Sequence, residues 1–285
     1  MKRINNSKDE YIVVVAHPDD EILWASSIIK NAKKVIICFG KTSSLTISKG
    51  RIGFALKAPK NFCFLNIPEP NDIGFNYFPI KSLTSDNCSK LSYFYKNLTQ
   101  ELLGLIDSEI VYTHNPWGEY GHLQHIEVNK VVNNICKKKH LRLKIFGYYH
   151  LRTLFERNYF LKQNNINIER KEILKEHFYL IKKQYIQNKC WTWYNSYSPK
   201  KYEYFYELVN KSSSDISKKF FVPGIYLFFG AIQDKLGFQS KLTKQNSDLF
   251  FPLLLDLTLF PIYYLSNTIK QFLKKFFYKK NKYIH

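Results

Sequence analysis

Hydrophobic positions along the chain switch repeatedly between two periods. Tyr11-Ile-Val-Val-Val-Ala16 is a continuous apolar, β-branched run, the pattern of a strand covered on both faces in a parallel sheet. It stops at His17-Pro18, where Asp19, Asp20 and Glu21 followed by Ile22, Leu23, Ala25, Ile28 and Ile29 predict a helix whose first turn favours negative charge. Residues 35–39 and 62–67 predict further buried strands. The polar, basic stretch 40–60 between them, with glycines at 50 and 53, reads as a long loop. Helical spacing returns at 91–106, a strand follows at 109–114, an amphipathic helix at 121–139 and a strand at 144–150.

Strands alternating with helices over 11–150 imply a Rossmann-like, mostly parallel α/β sheet with flanking helices. Ligands of such sheets sit beyond the carboxyl ends of the strands, where His17 and His114 stand. No G-x-G-x-x-G follows the first strand, which disfavours a nicotinamide-type function. After 150 the pattern becomes a charged helical stretch at 171–189, an aromatic patch Trp191-Thr-Trp193-Tyr194, and apolar segments broken by proline. The chain therefore divides into an α/β domain at 1–165, a mainly helical, aromatic-rich continuation at 166–248 and an apolar, lysine-rich tail at 249–285.

Composition narrows this picture. The 285 residues are 45% hydrophobic and 17% aromatic, which excludes general disorder. Lys and Arg number 43 against 23 Asp and Glu, a formal charge of +20 that points to an anionic partner. Codon bias, which would enrich Lys, Asn, Ile, Tyr and Phe together, accounts for it equally well. Five dispersed cysteines without a C-x-x-C pair argue against a disulfide framework or thiolate zinc site and for a reducing compartment. The apolar run at 11–16 is too short for a signal peptide, so a cytoplasmic chain is expected.

The tail sharpens the charge argument. Residues 249–265 are mostly apolar but carry Asp256 and two prolines, short of the ~20 apolar residues of a spanning helix. Lys270, Lys274, Lys275, Lys279, Lys280 and Lys282 follow, interleaved with Phe272, Phe276, Phe277 and Tyr278. This is the composition of an interfacial anchor on an anionic membrane surface. It moves the expected anionic partner from nucleic acid, which is disfavoured, to the inner membrane face or a phospholipid-linked substrate. The competing reading is a core helix followed by a solvated tail.

Chemistry concentrates in two short motifs. His17-x-x-Asp20 and His122-x-x-His125 offer imidazole and carboxylate donors with one group to spare. Three N/O ligands and an open position suit a catalytic zinc, and the same donors suit non-haem Fe2+. An isolated H-x-x-H is common and often marks only two surface histidines one turn apart.

Ala16-His17-Pro18-Asp19-Asp20-Glu21 after the first strand, together with Tyr112-Thr-His-Asn-Pro-Trp-Gly-Glu-Tyr-Gly-His122-Leu-Gln-His125, resembles the LmbE-like (PIG-L) family of metal-dependent de-N-acetylases. The resemblance covers residues 11–150. It implies that His17, Asp20 and His125 hold a metal, usually zinc, and that Asp19 is the general base. It implies that His122 stabilises the oxyanion or protonates the leaving amine, a role best served by a protonated ring, with Tyr120 as helper. Arg51 becomes a candidate substrate contact, and His114 either a substrate contact, a support behind a ligand or a satisfied strand-end histidine. Trp117 and Trp191 are candidate surfaces for a sugar ring, with a core role the stronger reading for Trp191. Glu21 reads as a helix first-turn residue bonding nearby backbone.

Two departures stand out. Leu123-Gln124 replaces the Pro-Asp of many relatives, and the Arg-x-x-Glu often found after the second strand is reduced to Arg51 with Phe54 in the glutamate position. The implied function is a zinc hydrolase removing the N-acetyl group of a GlcNAc-type amino sugar, carried on a lipid or nucleotide in cell-surface glycan synthesis. The rival is a catalytically silent sugar- or membrane-binding protein on the same scaffold.

Overall fold

The computed structural model describes residues 10–42, 44–65, 67–70, 72–73, 85–150 and 153–208. β1 (Tyr11–Val15) is flanked by β2 (Lys34–Ile37) and β4 (Ile110–Thr113), both parallel to it. β3 (Phe62–Phe64) extends the parallel array beyond β2, and β5 (Arg142–Phe146) extends it beyond β4. β7 (Tyr202–Leu208) then pairs antiparallel with β5, and β6 (Ile166–Glu172) antiparallel with β7. The order in this seven-stranded sheet is β3-β2-β1-β4-β5-β7-β6.

Burial on both faces explains the unbroken apolar run of β1. Val13 and Val15 enter one core with Phe54, Phe178, Tyr185 and Phe205, whereas Ile12 and Val14 enter the other with Phe94, Leu98, Val128 and Val132. The first core is covered by α1 (Asp20–Trp24), α2 (Leu45–Ala55) and α6 (Lys175–Gln187). The second is covered by α3 (Ser85–Leu105) and α4 (Leu123–Lys139). α5 (Leu154–Gln163) contributes Phe160 to a third cluster with Trp117 and Tyr206.

The structure corrects several expectations. The stretch at 40–60 is not a loop throughout: it contains α2, capped by Ser44, whose side chain accepts from Ile47 N. Gly50 and Gly53 disguise this helix, and both lie against the turn that follows α6. A Cβ at Gly50 would stand 2.1 Å from Asn188 O. The helix after Pro18 ends at Trp24, and a 3-10 turn at Ile29–Asn31 takes up the next apolar residues. β6 and β7 are additional strands, and α6 begins three residues after β6 ends. Among the described residues, no helix is long and apolar enough to cross a membrane. The tail at 249–285, proposed above as an anchor, lies outside the described residues.

Candidate functional site

The site lies at the carboxyl ends of β1 and β4. His17 follows β1 closely, and its backbone N–H donates to Asp20 Oδ2 at 2.7 Å. Asp19 between them takes a left-handed conformation, φ 98°, that a side chain rarely adopts. Its own N–H is held by Glu21 Oε2 at 3.0 Å, and Tyr185 OH donates to Glu21 Oε1 at 2.6 Å. Asp19 and Asp20 are thus turned in different directions. Asp20 Oδ2 lies 3.1 Å from His17 Nδ1 and 3.2 Å from His125 Nε2. Asp19 Oδ2 accepts from both the N–H and the hydroxyl of Thr192, at 2.8 and 2.7 Å.

The second motif supplies the imidazoles through a kinked turn, Gly118–Gly121, ahead of α4. Glu119 in that turn is fully buried, and its Oε2 accepts from Nδ1 of His125 at 2.6 Å and of His114 at 3.0 Å. With the proton on Nδ1, His125 turns the lone pair of Nε2 towards Asp20. Among the described residues, that Nε2 is buried without a hydrogen-bond partner. His17 is fixed from its far side, since its Nε2 makes a very short contact with Gln124 Oε1, which can only accept.

Among the described residues, two triplets bring potential metal-ligating atoms within 4.8 Å of one another: His17 with His122 and His125, and Asp20 with His114 and His125. His114 is unsuited as a ligand, because its Nε2 accepts from Ala16 N at 2.8 Å while its Nδ1 serves Glu119. An orphaned imidazole nitrogen beside an ionised carboxylate, each ring oriented by an oxygen acceptor on its other nitrogen, fits a divalent cation of zinc type.

Electrostatics separate the two adjacent carboxyls. Burial opposes ionisation of Asp20, but the rings of His125 and His17 outweigh it and hold the group well below its usual range. Burial and the Asp20 charge push Asp19 up to about 7, against the two Thr192 hydrogen bonds. One carboxylate is a fixed anion, and its neighbour can exchange a proton near neutrality. Burial raises Glu21 to about 8 and lowers His114 to about 3. His122 is also held far below its usual value, first by burial and then by His125 and His17. Among the described residues no carboxylate is hydrogen-bonded to the His122 ring and its Nδ1 has no partner, so no group there favours the protonated ring that the resemblance implied.

The other sequence candidates separate by position. Tyr120 packs at the site, its ring centroid 5.6 Å from those of His122 and His125. His114 is a support for Ala16 and Glu119 rather than a substrate contact. Arg51 is buried, and its Nη1 donates to Phe39 O at 3.2 Å and Glu69 Oε1 at 2.9 Å. Glu69 is thus the acidic partner that Phe54 could not be. Trp117 belongs to the core, with its indole N–H on Tyr148 O, and presents no sugar platform. Trp191 packs at the margin of the first core.

Sequence reasoning missed Glu119, Gln124 and Thr192. Glu119 lay inside the second motif, Gln124 was seen only as a departure, and Thr192 sat unremarked between two tryptophans. A glutamate three positions ahead of His122, inside the histidine motif, was the available signal for the first.

No protein-family model matches the sequence. A curated relative, Uncharacterized protein L374 of Acanthamoeba polyphaga mimivirus, is 30% identical over 139 residues, covering 45% of this chain. The match spans 58% of the viral protein's length. Similar solved structures include a deacetylase triple mutant of the teicoplanin biosynthetic pathway, at 10% identity and TM-score 0.46 over 72% of this chain and 100% of that one. The A40926 pseudoaglycone deacetylase Dbv21 matches at 10% identity and TM-score 0.44, over 70% and 97% of the two chains. The zinc-inhibited form of teicoplanin deacetylase Orf2 matches at 11% identity and TM-score 0.47, over 72% and 100%.

Proposed function

We propose that the protein is a metal-dependent de-N-acetylase acting on an N-acetylated amino sugar of GlcNAc type, borne on a lipid or nucleotide carrier. The observation that carries this reading is the placement of Asp20 Oδ2, 3.1 Å from His17 Nδ1 and 3.2 Å from His125 Nε2, with the higher-pKa carboxyl of Asp19 beside it. The motif resemblance supplies the substrate class. His17, Asp20 and His125 would hold the cation, with zinc preferred and Fe2+ compatible with the same donors. When bound, it supplies Lewis acidity to the attacking water and to the acetamide carbonyl.

The chain's own groups do the rest. Asp19 accepts a proton from the water as its oxygen bonds to the carbonyl carbon. Tyr120 and His122 flank the developing oxyanion, His122 donating as a neutral imidazole. The proton held at Asp19 passes to the amine nitrogen as the C–N bond breaks, leaving a free amino sugar and acetic acid, whose remaining proton is lost to solvent to give acetate.

The test is metal content together with acetate release from a panel of N-acetylglucosamine conjugates, for wild type, Asp19→Asn and His125→Ala. Wild type should bind about one zinc equivalent and release acetate. Asp19→Asn should keep the metal and lose about 100-fold or more in kcat, the usual scale of general-base removal. His125→Ala should lose both. A metal-free wild type, or an Asp19→Asn enzyme as fast as wild type, contradicts the reading.

A further inference from the structure

We propose that Thr192 is the positioning residue of Asp19, selecting which oxygen of that carboxylate takes the proton; the proposal rests on the deacetylase reading above. Both Thr192 donors, N–H and hydroxyl, converge on Oδ2, and Oδ1 accepts no hydrogen bond among the described residues. A carboxylate held by two donors on one oxygen cannot rotate freely. Its second oxygen is left with its lone pairs directed elsewhere, as a proton acceptor needs.

Thr192 itself is exposed, so it fills no part of the core, and its two inward-facing donors are the contacts that distinguish it. Its neighbours, by contrast, are locked. Tyr185 stacks on Phe54 with centroids 3.8 Å apart, and Cys190 N donates back to Tyr185 O at 3.1 Å. Asn188 O lies where Gly50 leaves room for it. Trp193 packs on Trp24 and Tyr120 at 5.6 and 5.2 Å between centroids. A rigid turn therefore delivers Thr192 to a residue 173 positions earlier in the chain. The β-branched side chain, with its restricted χ1, keeps the hydroxyl aimed. The catalytic machinery thus extends beyond the two histidine motifs into the segment after α6.

Thr192→Val keeps the shape and the N–H but removes the hydroxyl; Thr192→Ser keeps the hydroxyl. In the zinc-loaded full chain, Val should lower kcat for acetate release by about 10–100-fold, the scale of a small misplacement of a reacting group. KM and zinc stoichiometry should stay unchanged, and Ser should restore kcat. Crystal structures of both variants give a readout independent of turnover: the Asp19 carboxylate should turn away in Val and hold its place in Ser. Wild-type kcat in Val, or Ser as impaired as Val, overturns the proposal. If wild type releases no acetate from any conjugate, the deacetylase reading falls. The crystal structures still decide the role of Thr192, an unmoved Asp19 in Val refuting it.

Discussion

Glu119 accepts the Nδ1 proton of His125 at 2.6 Å on an oxygen that also serves His114, in a fully buried position. This leaves one tautomer for His125 and fixes which nitrogen looks into the site. Carboxylates in this position orient histidine ligands, and their loss typically costs about 10–100-fold in metal affinity.

Glu119→Gln is isosteric but replaces an acceptor with a donor facing an imidazole N–H. We expect zinc affinity, measured by competition with a chromophoric chelator, to fall within that range while the fold is retained. Unchanged affinity would show that His125 is oriented by other means.

Packing between α2 and the turn after α6 makes a second, purely structural prediction. Gly50→Ala puts a Cβ 2.1 Å from Asn188 O, a contact that backbone must move to relieve. Overpacking of this kind costs about 1–3 kcal/mol. Gly104→Ala in α3 is the control, since among the described residues nothing lies within 4 Å of a Cβ there and alanine is the better helix former. Thermal unfolding should show a lowered Tm for the first and an unchanged or raised Tm for the second. Equal Tm values would mean that the turn yields without cost.

A third prediction concerns pH. Glu203 on β7 accepts from Ser26 N, Ser27 N and the Ser27 hydroxyl, yet burial raises its pKa from 4.5 to about 7. A carboxyl raised on folding binds a proton more tightly in the folded than in the unfolded chain. Its contribution to stability is therefore full below 4.5, falls as pH rises towards 7, and is flat above that. Glu203→Gln should reduce the decline in unfolding free energy measured between pH 4.5 and 7. A mutant with the wild-type slope would exclude Glu203 as its source.

The parallel part of the sheet was legible because β1, β2 and β4 are buried on both faces and so read as unbroken apolar runs. β6 was not, since at the sheet edge Ile166–Glu172 carries charges on most positions and shows mostly exposed side chains. α2 was hidden by glycines present for close approach to another segment. In the site, the residues that would contact a metal came from short, contiguous motifs. The groups that hold the site's side chains in place, Gln124 on the metal-contact candidate His17 and Thr192 on the base candidate Asp19, act across 107 and 173 positions, and only the folded chain brings them together.

The sheet order also constrains how the protein assembles. β6 precedes β7 in the chain but lies outside it, and among the described strands it pairs only with β7, so its backbone has no strand partner until β7 has been made. During synthesis β6 and α6 emerge before the strand that anchors them. Tyr185 and Thr192 reach Glu21 and Asp19 from the segment between these two strands, so the order of sheet closure bears directly on when the site is completed.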